Sequence, residues 1–446
     1  MAKNKRRIVV LGGGFAGTGC IRKLESYFRN DEEIEIVLIS EDNFLLSTPM
    51  LPQVASGMAE ARHIITPIRA ICKKTTFYEG QVSSIDPHGR IVNLRRTGRK
   101  RGIGVRYDFL VIALGSKTNF FGMKDVEKHA HTMKTLNDAL VLRNKTMDML
   151  EQSETEFDPI HRKSMLTFVI VGGGFAGIET AGELMDLLID ARKHYPGIRE
   201  DHISVIVVES GPTIIPGFGE KLAKFAYGAV VKRGIDVRLN SAVTGFNGIE
   251  AAIKKLSGEG AGQEEVVRTN TLVWTAGVAA ADAIRNSILK TERGKLVVNE
   301  FLELSGFPGV FAAGDCALCI NPETKRPFPP TAQIAEAQAK TAAANLHALI
   351  RNKKKAKFDY RAKGHMAIIG KRAGIATFMG RNIVGFWAWI LWRNMYLSRI
   401  PGTEKRIRVL LDWTIDLFFG RDVSRMDVMK KPRSVGFRET EEQDIW

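Results

Sequence analysis

The 446-residue sequence has few cysteines and no long hydrophobic run. Its four cysteines, Cys20, Cys72, Cys316 and Cys319, are too scattered for a disulfide framework, which favours a reducing compartment. The longest near-continuous apolar stretch, residues 383–392, falls well short of the roughly 20 residues that a membrane-spanning helix needs. The chain starts with charged residues and passes directly into an apolar run, so we expect no signal peptide.

Metal-ligand patterns are also sparse. Cys316 and Cys319 form a CxxC pair, but no second pair exists to complete a zinc site. We therefore predict no metal, and we interpret the pair as structural, with a redox disulfide as the alternative.

The composition indicates a globular protein of two or three domains, since 44% of the residues are hydrophobic and 26% are charged. An excess of basic residues gives a formal charge of +16, so the surface should attract phosphates. Those phosphates could belong to dinucleotides, to anionic lipids or to nucleic acid. One basic segment, residues 93–106, is predicted to be a solvated hairpin turn, with phosphate binding as the alternative.

An internal repeat is the most informative feature of the sequence. The motif GGGFAG occurs at residues 12–17 and again, letter for letter, at residues 172–177. Each copy follows an apolar, strand-like run and precedes a helix-like segment, which is the context that a dinucleotide fingerprint requires. The sequence therefore predicts two dinucleotide-binding units.

The glycines of the first copy have separate roles. Gly12 permits the tight turn, Gly14 lets backbone N–H groups approach a pyrophosphate, and Gly17 lets the helix pack on the sheet. The helix N-terminus then faces the negative charge. Glu41, beyond the next strand, is the candidate for a ribose hydroxyl.

The second copy, with Gly172, Gly174 and Gly177, has its acidic candidate in Glu209, at the end of the strand-like run ISVIVVE. Glu209 lies further from its glycines than the usual spacing of about 20 residues, because a long helix intervenes. A carboxylate there would accept from a ribose 2′-OH and repel a 2′-phosphate, which favours NADH over NADPH. The alternative is a surface carboxylate at a strand end.

These patterns predict an α/β fold with two Rossmann-like dinucleotide-binding domains. Residues 1–118 and 297–359 are predicted to form the first domain, and residues 119–296 the second, inserted in it. Asp315 follows a strand and a glycine in the returning part, where a carboxylate can hold the ribityl chain of a flavin.

Residues 360–446 are predicted to be a C-terminal amphipathic helical region that docks on a membrane. Aromatic residues and cations suit a membrane interface together. The residues concerned are Phe386, Trp387, Trp389, Trp392, Tyr396, Arg393 and Arg399, and then Lys405, Arg406, Ile407, Arg408, Leu410, Leu411, Leu417 and Phe418. A core-packing helix pair and a homodimer interface remain alternatives.

The two fingerprints, with VIALGS, WTAGV, AAGDCA and PPTAQIAEAQ, resemble a type II NADH dehydrogenase, the single-subunit NADH:quinone oxidoreductase. The resemblance runs nearly end to end. It implies FAD on the first fold, NADH on the inserted fold, and a respiratory quinone as acceptor. It also implies a peripheral position on the cytoplasmic face of the cell membrane.

Residue by residue, the resemblance assigns three groups of positions. FAD would be held by Gly12, Gly14, Phe15, Ala16, Gly17, Glu41, Thr48, Pro49, Val82, Ala113, Gly115, Asp315, Ala332 and Gln333. NADH would be held by Gly172, Gly174, Gly177, Glu179, Glu209, Ala276 and Gly277. The quinone would meet Gln333, Ala337 and Lys371, and the catalytic positions would be Glu179 and Gln333.

The implied mechanism moves a hydride from NADH to flavin and then two electrons to quinone, and the cofactor carries the chemistry. Ala337 departs from the family pattern, which has a second glutamine there. That departure motivates an alternative, an NADH-dependent flavoprotein with another acceptor. A sulfide:quinone-type relative would need cysteines between Cys72 and Cys316, where none occurs. Nucleic-acid binding is disfavoured because the nucleotide folds contain no aromatic-basic groove.

Overall fold

The computed structural model describes residues 5–95, 102–361, 364–419 and 421–426. Part of the basic segment, residues 96–101, and the charged C-terminal tail from residue 427 lie outside the described residues. The elements are numbered here in chain order.

The first stretch contains β1 Arg6–Leu11, α1 Phe15–Tyr27, β2 Ile34–Ser40, β3 Phe44–Leu46, α2 Leu51–Ala55, β4 Ile65–Pro67, α3 Ile68–Ile71, β5 Thr76–Glu79, β6 Gln81–Asp86, β7 Ile91–Arg95, β8 Ile103–Arg106, β9 Phe109–Ile112 and β10 Ser116–Thr118. The middle contains α4 Lys124–His129, β11 His131–Thr132, α5 Leu136–Thr155, α6 Pro159–Met165, β12 Thr167–Val171, α7 Phe175–Ala191, β13 Ser204–Val208, α8 Glu220–Lys232, β14 Ile235–Arg238, β15 Ser241–Phe246, β16 Glu250–Lys255, β17 Glu264–Arg268, β18 Thr271–Trp274 and β19 Val278–Ala280. The remainder contains α9 Asp282–Arg285, β20 Thr291–Glu292, β21 Lys295–Val297, β22 Val310–Ala312, β23 Ala317–Leu318, α10 Ala332–Ile350, β24 Gly364–Gly370, β25 Ala373–Phe378, β26 Arg381–Gly385, α11 Phe386–Arg399 and α12 Thr403–Phe418.

The first domain is built on a five-stranded parallel sheet in the order β22-β9-β1-β2-β5. Its central strands are apolar on both faces, as buried parallel strands are, because helices cover one face and a β-meander and loops cover the other. Helix α1 packs against α10 on the helical face. The carboxyl ends of β1, β2 and β9 therefore open on one edge, where open α/β sheets bind their ligands.

The second domain repeats this plan with the sheet order β11-β18-β12-β13-β14. Helix α5 begins with a capping box in which Thr135 Oγ1 accepts from the Asp138 N–H and the Asp138 carboxylate accepts from the Thr135 N–H. Because β22 pairs with β9 of the first sheet after the second domain is complete, the chain returns. The predicted insertion is confirmed.

The return begins earlier than the sequence predicted. Ala280, Ile284, Leu289 and Leu296, assigned to the end of the inserted domain, pack on the first sheet beside Val9. Strand β19 pairs antiparallel with β10, and this two-stranded connection joins the domains. The residues from Ala280 onward therefore pack with the first domain before the predicted boundary at residue 296, because the return starts without a change of composition.

The C-terminal region differs from a purely helical one. A three-stranded antiparallel sheet, β24-β25-β26, comes first, and α11 and α12 follow it. The strands are short, and their apolar residues are buried against α7 and α11. A short apolar run in the sequence does not distinguish such a strand from a buried helix. The two predicted helices are present, and in the described residues no helix has the length and apolar character needed to cross a bilayer.

Helix α7 and this sheet touch backbone to backbone. A Cβ atom added at Gly182, in the middle of α7, would lie 2.1 Å from the carbonyl oxygen of Ile369 in β24. Because no side chain fits between them, glycine is required at this position. The helix that carries the second glycine turn is thus fixed directly to the C-terminal region.

Candidate active site

A cleft of about 1630 Å³ runs between the two α/β domains and the C-terminal region. The first glycine turn, the start of α7 and the start of α10 line it, together with residues from the C-terminal region. Elements from four separate parts of the chain meet here, so no single motif defines the cleft.

The first glycine turn has the geometry of a dinucleotide cradle. Gly12 has φ +102°, and a Cβ atom there would lie 2.2 Å from the carbonyl oxygen of Ala113. A Cβ atom at Gly17 would lie 1.7 Å from the carbonyl oxygen of Gly12. Around Gly14 a Cβ atom would meet nothing within 4 Å, and as the N-cap of α1 this glycine has no side chain to bond the first N–H groups. Those groups are left for a phosphate, so the residues present fit a dinucleotide.

The second glycine turn has the same shape. Gly172 has φ +105°, and a Cβ atom at Gly177 would lie 1.8 Å from the carbonyl oxygen of Gly172. The Glu209 carboxylate accepts from the N–H of Gly173 at 2.6 Å and from the N–H of Gly211 at 2.6 Å. Two oxygens offer about four acceptor sites, so this carboxylate can brace the turn and still accept from a ribose.

The acidic groups of the first domain are more numerous than predicted. Glu41 and Asp42 both follow β2 and line the cleft. Burial raises the pKa of Asp42, and the nearby Glu41 and Glu79 add to the rise. Asp315 also lines the cleft, where its carboxylate accepts from Ser116 Oγ at 3.2 Å and lies 3.7 Å from Lys134 Nζ.

Helix α10 begins at the cleft, capped by Thr331, whose hydroxyl accepts from the Ile334 N–H. Gln333, in its first turn, accepts at Oε1 from the hydroxyl of Tyr360 at 3.0 Å. The buried Gln338, one turn further, accepts from the Gly314 N–H at 2.7 Å. The helix start is therefore held to both the first domain and the segment that leads to the C-terminal region.

Glu179 is buried in the second turn of α7 and reaches the cleft. Burial raises its pKa to about 8, while a hydrogen bond from the Ile368 N–H at 3.1 Å opposes part of the rise. At neutral pH this side chain holds a proton in the cleft wall. Glu179 lies beyond the first turn of α7, where a charge adds little to the helix dipole.

Five residues from the C-terminal region line the cleft, although the sequence suggested no such role for them. Tyr396 and Arg399, on α11, were expected at a lipid surface, and Tyr360, His365 and Met366 were not singled out. Burial raises the pKa of Tyr396, and Glu179 adds to that rise. Tyr396 and Arg399 can be identified as cleft residues only once the structure shows which side of α11 faces the cleft. The spacing of residues along a helix does not reveal which surface each side of the helix contacts.

Fifteen of the predicted site residues line the cleft and eight do not. On the cleft are Gly12, Gly14, Phe15, Ala16, Glu41, Thr48, Pro49, Val82, Ala113, Gly115, Glu179, Gly277, Asp315, Ala332 and Gln333. Outside its lining are Gly17, Gly172, Gly174, Gly177, Glu209, Ala276, Ala337 and Lys371. Gly17 lies inside the first glycine turn. The residues of the second glycine turn and their neighbours lie at the edge of the inserted domain's sheet.

Two quinone assignments do not fit the structure. Ala337 packs against the core of the first domain. Lys371 lies in the turn between β24 and β25, where its N–H donates to Asp186 at 2.5 Å and its Nζ is 3.6 Å from Asp190. Neither residue lines the cleft.

Within the described ranges, no group of three or more His, Cys, Asp or Glu side chains could hold a metal ion. All four cysteines are free and buried. Burial raises the pKa of the Cys316 thiol to about 12, so this thiol carries its proton beside the first sheet.

The comparisons with known proteins agree with this architecture. Residues 6–339 match the pyridine nucleotide-disulphide oxidoreductase family, and residues 362–422 match the NDH2 C-terminal domain. A probable NADH dehydrogenase of Dictyostelium discoideum is 32% identical over 94% of this chain and 91% of its own length. A type II NADH:quinone oxidoreductase of Mycobacterium tuberculosis is 30% identical over 92% of this chain and 88% of its own.

Solved structures share the fold. NDH2 from Plasmodium falciparum, in complex with NADH, superposes with a TM-score of 0.85 at 20% identity and covers 94% of this chain and 100% of that one. The sulfide:quinone oxidoreductase of Aquifex aeolicus gives 0.71 at 18% identity and covers 93% and 95%. The chain therefore belongs to the pyridine nucleotide-disulphide oxidoreductase family, and the resemblance to type II NADH dehydrogenases is confirmed.

Proposed function

We propose that this chain is a non-proton-pumping, FAD-dependent NADH:quinone oxidoreductase that works on a membrane surface. One observation carries the proposal: a single cleft connects the first glycine turn, the start of α7 and the start of α10 with polar residues of the C-terminal region. Such a cleft can hold two dinucleotides and an acceptor in contact. Of the relatives described above, one is named a probable NADH dehydrogenase and one a type II NADH:quinone oxidoreductase, which supports the proposal.

FAD would occupy the first domain, with its pyrophosphate on the Gly12–Gly17 turn. The N–H groups at the start of α1 would bind that phosphate, and Glu41 or Asp42 would accept from the ribose. Asp315 would hold the ribityl chain, while Lys134 offsets its charge. When bound, FAD supplies the two-electron chemistry that accepts a hydride from NADH and reduces the quinone.

NADH would bind on the second glycine turn, with its ribose at Glu209. The carboxylate is held by two backbone N–H groups, so its position is fixed before the nucleotide arrives. A fixed negative charge repels a 2′-phosphate, which supports NADH over NADPH. The nicotinamide would lie beside Glu179, the deepest carboxyl group on this side of the cleft.

The acceptor would meet the start of α10. Gln333 and Glu179 both line the cleft, one from the first domain and one from the inserted domain. Because burial raises the pKa of Glu179 to about 8, its carboxyl group can give a proton to a reduced acceptor at neutral pH. The helix start would also stabilise negative charge through its free N–H groups.

Docking would use an apolar face of α12. Ile407, Leu411 and Ile415 are each more than half exposed, and Phe418 is 79% exposed. These residues recur at helical spacing on one side, and Trp387, 71% exposed, extends the surface from α11. Lys405, Arg406 and Arg408 lie near this face and would meet anionic lipid on the cytoplasmic side of the membrane.

A steady-state assay with an absorption spectrum tests the proposal. The purified protein should be yellow, and it should oxidise NADH far faster than NADPH when ubiquinone-1 is present. Ferricyanide, an acceptor that needs no specific site, separates loss of flavin reduction from loss of quinone reduction. A colourless protein that takes up no flavin, or one that reduces ferricyanide but none of several quinones, would contradict the proposal.

A further inference from the structure

Arg399 is the last residue of α11, and its side chain lines the cleft. The residue is only partly exposed, and its Nη1 atom is buried without a hydrogen-bond partner in the part of the chain that the structure describes. A buried donor with no acceptor is costly unless a ligand or water supplies one. The atom is therefore available to something that enters the cleft.

Two other cations on the cleft have acidic partners. Lys117 is paired with Asp282 at 2.5 Å, and Lys134 lies 3.7 Å from Asp315. Among the described residues no carboxylate lies within ion-pair distance of Arg399, whose guanidinium instead lies 5.9 Å from the ring centre of Tyr396. The positive charge of Arg399 is thus left uncompensated at the acceptor end of the cleft.

Arg399 also lies close to the other polar groups at that end. Burial raises the pKa of the Tyr360 hydroxyl, and the Arg399 guanidinium opposes part of this rise. The guanidinium acts in the same direction on Tyr396, whose pKa burial also raises. Tyr360 donates to Gln333, and Arg399, Gln333 and Glu179 all line the same cleft, so Arg399 neighbours a group that contacts Gln333.

We propose that Arg399 is a catalytic residue of quinone reduction, whose guanidinium binds the quinone oxygen on which negative charge develops. The proposal rests on the proposed function, because it requires a quinone as the acceptor. A planar guanidinium with several donors suits an oxygen that changes from neutral carbonyl to charged and then to hydroxyl.

The reaction balances as follows. The quinone receives two electrons and two protons and becomes a hydroquinone, and its two C=O bonds become C–OH bonds. In the proposed reaction, bound reduced flavin would supply both electrons and one proton. The second proton comes from the Glu179 carboxyl group, which solvent then reprotonates. Arg399 gives up no proton, since its role is to hold charge until the proton arrives.

The alternative is a structural role, because a cation at a helix C-terminus complements the helix dipole. The two roles differ in what a substitution changes. A structural cation affects stability and both substrates alike. A group that acts on developing charge affects the quinone step, and it lowers kcat and kcat/KM together while it leaves ground-state binding nearly unchanged.

The experiment uses flavin-loaded holoenzyme with Arg399→Met, Arg399→Lys and Arg399→Ala. Enzyme reduced anaerobically with one equivalent of NADH is mixed with ubiquinone-1, and reoxidation is followed by flavin absorbance. We expect Arg399→Met to slow reoxidation by about 10²-fold, the usual effect of removing a donor to developing charge. Arg399→Lys should recover part of the loss. Quenching of tryptophan fluorescence by ubiquinone-1, which requires no turnover, should give nearly the wild-type Kd.

Two further measurements separate the outcomes. Flavin reduction by NADH and turnover with ferricyanide should stay within about two-fold of wild type in every variant. Guanidinium ion, added below the concentration at which the unfolding temperature shifts, should speed quinone reduction by Arg399→Ala but not by wild type. The matched control, Arg268→Met, removes the same charge from β17, far from the cleft, and should change nothing.

Reoxidation of Arg399→Met at the wild-type rate would overturn the proposal. Equal loss with ferricyanide and ubiquinone-1, with no rescue by guanidinium, would also overturn it in favour of the structural role. Failure of the wild-type protein to take up flavin or to reduce any quinone would instead contradict the proposed function itself.

Discussion

At the scale of single residues, two carboxyl groups beside the start of α7 have different surroundings. Glu179 is buried, and burial raises its pKa to about 8. Glu209 accepts hydrogen bonds from the N–H groups of Gly173 and Gly211, which fix the position of its carboxylate. One group therefore stores a proton and the other presents a fixed negative charge.

Glu179→Gln should remove a pH dependence. Wild-type quinone reduction should fall as the pH rises through about 8, because the buried carboxyl group then loses its proton. The stability contribution has the same sign: it is full below the ordinary pKa of a glutamate and is lost as the pH rises through about 8. Rates and unfolding temperatures between pH 6 and 9.5 should both be flatter in the variant. The exposed Glu259→Gln is the matched control, and an unchanged profile for Glu179→Gln would contradict the assignment.

Glu209→Gln should weaken the choice between the nicotinamide nucleotides. The amide oxygen can still accept from one N–H group, so the turn survives, but the charge that repels a 2′-phosphate is gone. The ratio of kcat/KM for NADH to that for NADPH should fall by about ten-fold, in line with loss of one charge-assisted hydrogen bond. Glu209→Ala should also lower the unfolding temperature. If discrimination is unchanged in both variants, another group sets it.

Single residues could be predicted best from sequence where all the residues of a motif are close together in the chain. The glycine turns are local, so Gly12, Gly17, Gly172 and Gly177 were identified from their spacing alone. Tyr360, Tyr396 and Arg399 come from other segments, and only tertiary packing brings them to the cleft. Lys371 was assigned to the quinone from sequence but does not line the cleft, because Asp186 and Asp190 of α7 bind it in the turn between β24 and β25.

At the scale of elements, α11 and α12 divide their residues between two surfaces. Trp389, Trp392 and Trp413 are buried, and Arg393, which the sequence suggested for a lipid surface, lies 3.6 Å from the ring centre of Trp389. The core-packing alternative is therefore correct for this side of the pair. The other side of α12 is apolar and exposed.

Leu411→Glu with Ile415→Glu should abolish membrane binding without unfolding the protein. Both side chains are 55% exposed, so charges there meet water in the free protein but would have to enter the lipid interface on docking. Sedimentation with vesicles that contain anionic lipid should be lost, while the rate with ubiquinone-1 should stay the same. The matched pair Ile249→Glu and Val266→Glu, exposed residues of the inserted domain, should sediment normally. If the Leu411→Glu, Ile415→Glu variant still sediments with vesicles, or if the two changes convert a dimer to a monomer, the exposed face of α12 is not the membrane-docking surface.

At the scale of the whole molecule, the C-terminal region is part of the main core and not an appendage. Its sheet and helices share one hydrophobic cluster with α2, α5 and α7. Deleting everything after Tyr360 would expose that cluster, so the shortened chain would be expected to unfold, and loss of membrane binding would then have no simple meaning. Point changes on the exposed face test docking more cleanly.

Arg421→Ala should destabilise the whole protein by about 3–5 kcal/mol, because removing one member of a buried pair leaves its partners uncompensated. Arg421 has a fully buried side chain, 2.9 Å from Glu183 of α7 and 3.7 Å from Asp416 of α12. Unfolding by urea, followed by fluorescence, measures the loss. Arg408→Ala, which breaks an exposed pair with Glu404, should cost no more than about 0.5 kcal/mol. Equal effects of the two changes would contradict the view that this junction holds the regions together.

The overall plan could be predicted because it repeats. Two copies of one motif imply two similar domains, and a strand pattern after the second copy implies the return to the first sheet. The position of the return and the sheet of the C-terminal region could not be predicted. Both depend on which surface a short apolar segment finds, and that choice is made by contacts distant in sequence.

Because of Gly182, the position of the second glycine turn and the position of the C-terminal helices cannot change independently during evolution. A mutation that adds one methyl group at this position would push the strand carrying Ile369 away from the helix below it. The second glycine turn and the two C-terminal helices would then shift relative to each other, although the residues of neither had changed. Domain exchange between relatives should therefore succeed only when α7 and β24 are transplanted as a matched pair.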